Sequence, residues 1–220
     1  MKKINLVITT IALLLFAQFT NAQTIGHIAG SAHDFSLASW NSTGEICKVC
    51  HTPHNAMTGV VDAPLWNHAM TTQTFSVYNL AISATMNAVV GQPDGSSKLC
   101  LSCHDGVTAV NSFGGGTGTA APMTGPNVVG TDLTNDHPVS FTYDAALATA
   151  DGGLFNPATA LSGLGGTINH DLLIGGKLQC SSCHDVHNNA IGSGSPAVFP
   201  ANLLVKSNAA SALCLTCHNK

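Results

Sequence analysis

The sequence predicts a chain of mostly irregular coil with short α-helices and little β, folded around material other than its own side chains. Three observations predict this. The 220 residues include 22 Gly but only 8 Phe, 2 Trp and 2 Tyr. Large rings supply much of the apolar mass of an ordinary core, so this chain is short of its usual filling. Helical or alternating periodicity is nowhere sustained for long. Finally, all eight cysteines fall into four copies of one pattern, Cys-x-x-Cys-His.

In chain order, Lys2 and Lys3 precede a largely apolar run, Ile4 to Phe19, and Thr20-Asn21-Ala22 fits a cleavage site. Residues 1–22 therefore read as a secretory signal. The run is broken by Thr9, Thr10 and Gln18, which makes it short for a span of ~20 residues. No membrane span is expected after cleavage. The expected destination is the cell surface or the extracellular space, with the periplasm as the alternative. Residues 23–110 and 132–220 read as two halves of one compact domain. The Gly/Thr-rich stretch 111–131 joins them, with Gly114-Gly115-Gly116 inside it. Gly152 to Gly166 is a second stretch without a period. Short helices are expected near the cysteine motifs, including Ser207 to Leu215. A longer helix is expected over Val77 to Val90, and strand around Val139 to Tyr143. A formal charge of −4 excludes a strongly basic nucleic-acid surface.

The four motifs are Cys47-Lys48-Val49-Cys50-His51, Cys100-Leu101-Ser102-Cys103-His104, Cys180-Ser181-Ser182-Cys183-His184 and Cys214-Leu215-Thr216-Cys217-His218. Export to an oxidising compartment would ordinarily pair eight cysteines as disulfides, but this spacing is that of c-type haem attachment. Two thiols separated by two residues reach the two vinyl groups on one porphyrin edge. The following His turns its imidazole to the iron as the proximal ligand. Zinc ribbons and thioredoxin-like dithiols also use Cys-x-x-Cys, yet neither requires a His after every pair. Four haem c groups are expected. Removing residues 1–22 of 220 leaves 198, too few to wrap four porphyrins separately, so the haems are expected to stack and form the core.

The motifs repeat as pairs. Residues 47–56 and 180–190 share Cys-x-x-Cys-His-x-x-His-Asn, and each is followed by a Leu-Cys-Leu-x-Cys-His, at 99–104 and 213–218. Each half thus reads as a dihaem unit. Of eleven His, four are proximal, leaving His27, His33, His54, His68, His137, His170 and His187. A low-spin electron-transfer haem closes its second axial position with Met or His. Met57, Met70, Met86 and Met123 follow no pattern, so His ligation is expected throughout. His54 and His187 each lie three residues beyond a proximal His, too close to reach around their own haem but placed to reach a neighbouring one. His33, His137 and His170 each adjoin an Asp, which suits an oriented imidazole. The internal repeat pairs His170 with His33. His27 and His68 are weaker candidates.

Several segments carry a family resemblance: His33-Asp34-Phe35-Ser36, Cys47 to Asn55 with its Thr-Pro-His, Pro64-Leu65-Trp66-Asn67, His104-Asp105-Gly106, Asp136-His137-Pro138, Cys180 to Asn188 and Leu213 to His218. Together they resemble multihaem c-type cytochromes with doubled motifs. The nearest likeness is to tetrahaem extracellular cytochromes that polymerise into conducting filaments. The resemblance implies bis-His ligation, with one distal His supplied by the adjacent subunit; the matching residue is His54. It favours His137 over His170. The implied distal set is His33, His54, His137 and His187, with His170, His68 and His27 as further candidates.

The expected function is electron transfer without substrate turnover, through polymers of the chain itself to other redox proteins or extracellular acceptors. Haems near both chain ends suit heterologous contacts, which give open polymers when the rotation does not close. A monomeric periplasmic shuttle is the first alternative. A reductase of nitrogen or sulfur oxides is the second, and it needs an open iron with acid–base groups. A structural polymer with incidental haems is the third.

Overall fold

The computed structural model describes residues 28–60, 62–187 and 201–219. The expected signal segment 1–22 and His27 lie outside the described residues. Turns and bends dominate. The regular elements are α1 (Gly95–His104), β1 (Phe141–Thr142), α2 (Ala145–Asp151), α3 (Ile168–Asp171), β2 (Lys177–Leu178) and α4 (Cys214–Cys217), with 3-10 turns at Cys47–Val49, Cys180–Ser182, Ala201–Leu203 and Ala209–Ser211. β1 and β2 pair antiparallel, Phe141 opposite Leu178 and Thr142 opposite Lys177. Mostly coil with short helices and little strand is thus the observed class. Among the described residues, no helix is long and apolar enough to cross a membrane.

Two expected helices need correction. Val77 to Val90 is turn and coil. Asn79 Oδ1 accepts from Ala81 N (2.8 Å) and Asn87 Nδ2 donates to Thr85 O (3.2 Å). Such local side-chain bonds compete with a helical ladder, and Leu80, Ile82 and Val89 find no core to bury them. Ser207 to Leu215 is broken at Ala210 and Ser211, both at positive φ (50° and 63°). Helix resumes only at Cys214. The strand expected around Val139 to Tyr143 narrows to Phe141–Thr142. The short helices have recognisable starts: Asp144 Oδ1 accepts from Leu147 N, and the Thr167 side chain accepts from His170 N.

The buried side chains form small, separate clusters. The largest is Phe141, Tyr143, Ala148, Ile168, Leu172, Leu173 and Leu178. Ala63, Trp66 and Leu99 form a second, against Cys50. Phe75, Leu101 and Leu133 form a third. Burying each such large side chain stabilises the fold by ~1.5–3 kcal/mol. The motifs lie between and beside these clusters.

Candidate functional site

The backbone treats three of the four motifs alike. In the first, Thr52 N donates to Leu65 O (2.9 Å) and Asn67 N to Cys50 O (2.9 Å), so His51 lies opposite Trp66. In the third, Asp185 N donates to Leu203 O (2.7 Å) and Val205 N to Cys183 O (2.9 Å), with His184 opposite Leu204. In the fourth, Asn219 N donates to Gly153 O (2.8 Å) and Phe155 N to Cys217 O (2.9 Å), with His218 opposite Leu154. A short antiparallel clamp thus grips each His from both sides. The second motif differs because α1 runs through it: His104 ends the helix, and Val129 and Gly130 donate to its carbonyl.

Backbone carbonyls aim the imidazoles, from the clamp strand in the first and third motifs and from the 127–130 segment in the second. His51 Nδ1 donates to Pro64 O (2.8 Å), His104 Nδ1 to Asn127 O (2.7 Å) and His184 Nδ1 to Asn202 O (2.8 Å). A carbonyl only accepts, so Nδ1 carries the proton in each ring and Nε2 keeps its lone pair. That is the tautomer a metal-ligating imidazole adopts when a backbone carbonyl orients it. Pro64-Leu65-Trp66-Asn67 was singled out in the sequence. Its counterpart Asn202-Leu203-Leu204-Val205 was missed, although both are entered by Ala and share one Leu. The shared Leu is the available signal: Leu65 and Leu203 both take positive φ (60° and 53°).

Three of the four motif imidazoles face a second imidazole. His104 stands 6.1 Å from His33 (interplanar angle 47°), His51 stands 6.2 Å from His187 (27°), and His218 stands 6.3 Å from His137 (75°), between ring centres. Metal–imidazole bonds of ~2.0 Å on each side, plus about 1 Å from Nε2 to each ring centre, put axial imidazole centres roughly 6 Å apart. The residues present therefore fit an iron between each pair. A cavity of about 330 Å³ is lined by both His137 and His218, with Tyr78, Met86, Phe141, Tyr143, Leu147 and Leu154 among its other walls. Buried His33 Nδ1 and Trp66 Nε1 have no hydrogen-bond partner among the described residues. Burial first, and then the electrostatic influence of the neighbouring His104, His184 and His187 rings, lowers His33 to about 4, so it stands neutral with a lone pair to give.

The remaining candidates fall elsewhere. Among the described residues no imidazole is set against His184. His54 is exposed, its carbonyl held by Thr52 Oγ1 (3.0 Å). His170 is also exposed, and its Nδ1 meets Asp171 Oδ1 at 2.6 Å. The hydroxyl of Ser162 and then His170 hold the Asp171 carboxyl below its usual range. His68 is fully buried: Nδ1 lies 2.8 Å from Ala69 O, while Nε2 lies 3.3 Å from Val110 O and 3.6 Å from Cys103 Sγ. None of the eight cysteines is paired in a disulfide. Among the described residues no group of three or more His, Cys, Asp or Glu side chains is gathered to hold a bare metal ion.

Comparison with known protein families found no match, and comparison with curated proteins found none either.

Proposed function

We propose that this chain is an exported tetrahaem electron-transfer protein whose copies join head to tail into an extracellular filament. One observation carries the reading: three Cys-x-x-Cys-His imidazoles each face a second imidazole at the spacing an iron requires. Haem iron, when bound, supplies one-electron exchange between its ferric and ferrous states. Cys47, Cys50, Cys100, Cys103, Cys180, Cys183, Cys214 and Cys217 are the residues to hold four such groups. His51, His104, His184 and His218 present Nε2 from one side, and His187, His33 and His137 close the other side of three. A pair of facing imidazoles leaves no open metal position for a substrate, which favours transfer over turnover.

The fourth position supports the polymer. His54 and His187 hold the same place in the repeat, yet His187 faces a ring in its own chain and His54 points to solvent. His54 is the residue to complete the His184 site of another copy. His170, exposed and backed by Asp171, is its competitor, and His27 is the third choice.

The test compares the secreted chain with its His54→Ala, His170→Ala and His27→Ala variants by electron microscopy, mass spectrometry and electron paramagnetic resonance. Filaments and four haems are expected for the unaltered chain. The His54→Ala variant should give discrete particles with four haems, one of them high-spin. The other two variants should still polymerise. Discrete particles from the unaltered chain would favour a monomeric shuttle, and the mass of bare polypeptide or of a zinc complex would end the haem reading.

A further inference from the structure

The two halves meet at a buried polar knot between the second and third motifs. Its hub is Gln179, 2% exposed, on the residue before Cys180. Gln179 Oε1 accepts from Ser97 Oγ, from Ser97 N (3.3 Å) and from Ser140 Oγ (3.1 Å). Its Nε2 donates to Asp94 Oδ1 (2.9 Å), and Asp94 Oδ2 also pairs with Lys177. Cys180 N donates to Ser97 Oγ (3.0 Å), and the Ser96 and Ser181 hydroxyls bond to each other. α1 and the 3-10 turn Cys180–Ser182 are thereby fixed side by side. The consequence is that Cys100, within α1, and Cys180, at the start of the 3-10 turn, are brought to one junction although they lie 80 positions apart in sequence.

We propose that Gln179 is a positioning residue for electron passage between the halves: it locks the second motif to the third so that the groups carried on Cys100 and Cys180 meet at their attached edges. The proposal rests on the haem reading above and adds where the halves join electrically. The buried Gln179, Ser97 and Ser140 side chains are all paired, so the contact is stiff, and a satisfied buried network defines one arrangement. Replacing the hub by an apolar group takes a partner from each of Ser97, Ser140 and Asp94, and groups that lose a partner move to find new ones.

The test uses Gln179→Leu and the milder Ser96→Ala, with Ser162→Ala as a control buried hydroxyl away from the knot. Haem content, Soret circular dichroism and inter-haem transfer after flash reduction are measured on the secreted protein. Gln179→Leu should keep four low-spin haems, lose most of the exciton couplet and slow one transfer step by roughly tenfold or more, the scale on which small misplacements act. Ser96→Ala should move both readouts less, in the same direction, and Ser162→Ala should move neither. An unchanged couplet and rate in a folded Gln179→Leu overturns the proposal. If that variant does not fold, an unchanged Ser96→Ala does so. A chain with no haem at all would instead overturn the reading beneath it.

Discussion

The first and third motifs are copies in sequence and nearly so in backbone, yet they treat the second histidine of the copy differently. Both begin as a 3-10 turn, both are gripped by an Ala-x-Leu clamp, and both proximal imidazoles donate to the carbonyl just before that Leu. Three residues on, the copies part. In the third motif Asp185 Oδ1 accepts from His187 N (2.9 Å) and lies 3.9 Å from His187 Nδ1, and the ring centre stands 6.2 Å from that of His51. In the first, Thr52 and Pro53 stand where Asp185 and Val186 do, and His54 faces outward. A duplication that was symmetric in both geometry and ligation would exchange ligands both ways within one chain. Here only His187 meets the other motif's His, while His54 stays exposed, and on the proposed function that leaves His54 and His184 to meet between copies.

The largest effects should come from breaking the two histidines separately. His187→Ala removes the ring facing His51, so the first haem should turn high-spin in every preparation, polymer or not. His54→Ala should change spin state only through the loss of assembly. Electron paramagnetic resonance on size-separated material checks this. Equal behaviour of the two variants would erase the asymmetry.

Next come the clamps. Trp66 packs with Ala63 and Leu99 against Cys50, so Trp66→Ala should cost about 3–5 kcal/mol. Val205, its neighbour's counterpart in the third motif, is only half-buried at the margin of the large Phe141 cluster. Val205→Ala should cost about 1 kcal/mol, near one methylene's worth of burial. Denaturation midpoints of the haem-loaded variants measure both.

The knot that ties the copies should respond to acid. Burial works against the charge of Asp94, but Lys177, Gln179 and Ser140 outweigh it and hold its carboxyl below the usual range. A carboxyl depressed in the fold stabilises it fully above its unfolded value of ~3.9, and that contribution is lost as pH falls through the lower folded value. Thermal midpoints should therefore be insensitive to Asp94 protonation near neutrality and fall below about pH 4. Asp94→Asn should start lower and show a shallower fall. A steeper fall in that variant would remove Asp94 from the junction.

Much of the site was legible because the motif itself sets the chemistry. Cys-x-x-Cys-His fixes which side chains leave the same turn, and a surplus of His marks the search for second ligands. His33 and His137 were legible as candidates because single positions beside an Asp stand out. What was hidden depends on contacts far apart in sequence. The Ser97–Gln179 knot joins residues that carry no motif of their own, and Ser and Gln read as surface types until a fold buries them. The 77–90 segment misled because its apolar residues suit a helix, whereas Asn79 and Asn87 bond locally. The second Ala-x-Leu clamp escaped notice because its telling property is a backbone angle.

That angle supplies the smallest and sharpest contrast between the copies. Leu65 and Leu203 both sit in the left-handed region, at φ 60° and 53°, where an L side chain costs ~1–2 kcal/mol relative to the right-handed form. Glycine takes this region freely. Leu65 is 53% exposed, so Leu65→Gly gives up little burial and should leave stability unchanged or raise it by about 0.5–1 kcal/mol. Leu203 is 8% exposed, and Leu203→Gly gives up its burial, worth ~1.5–3 kcal/mol. Relief of the backbone offsets only part of that, so a net loss of about 1 kcal/mol is expected. The same substitution at the same place in the repeat should thus change sign. Two destabilised variants would mean that the Leu65 side chain is covered in the assembled protein, as it would be if the first motif docks on another copy.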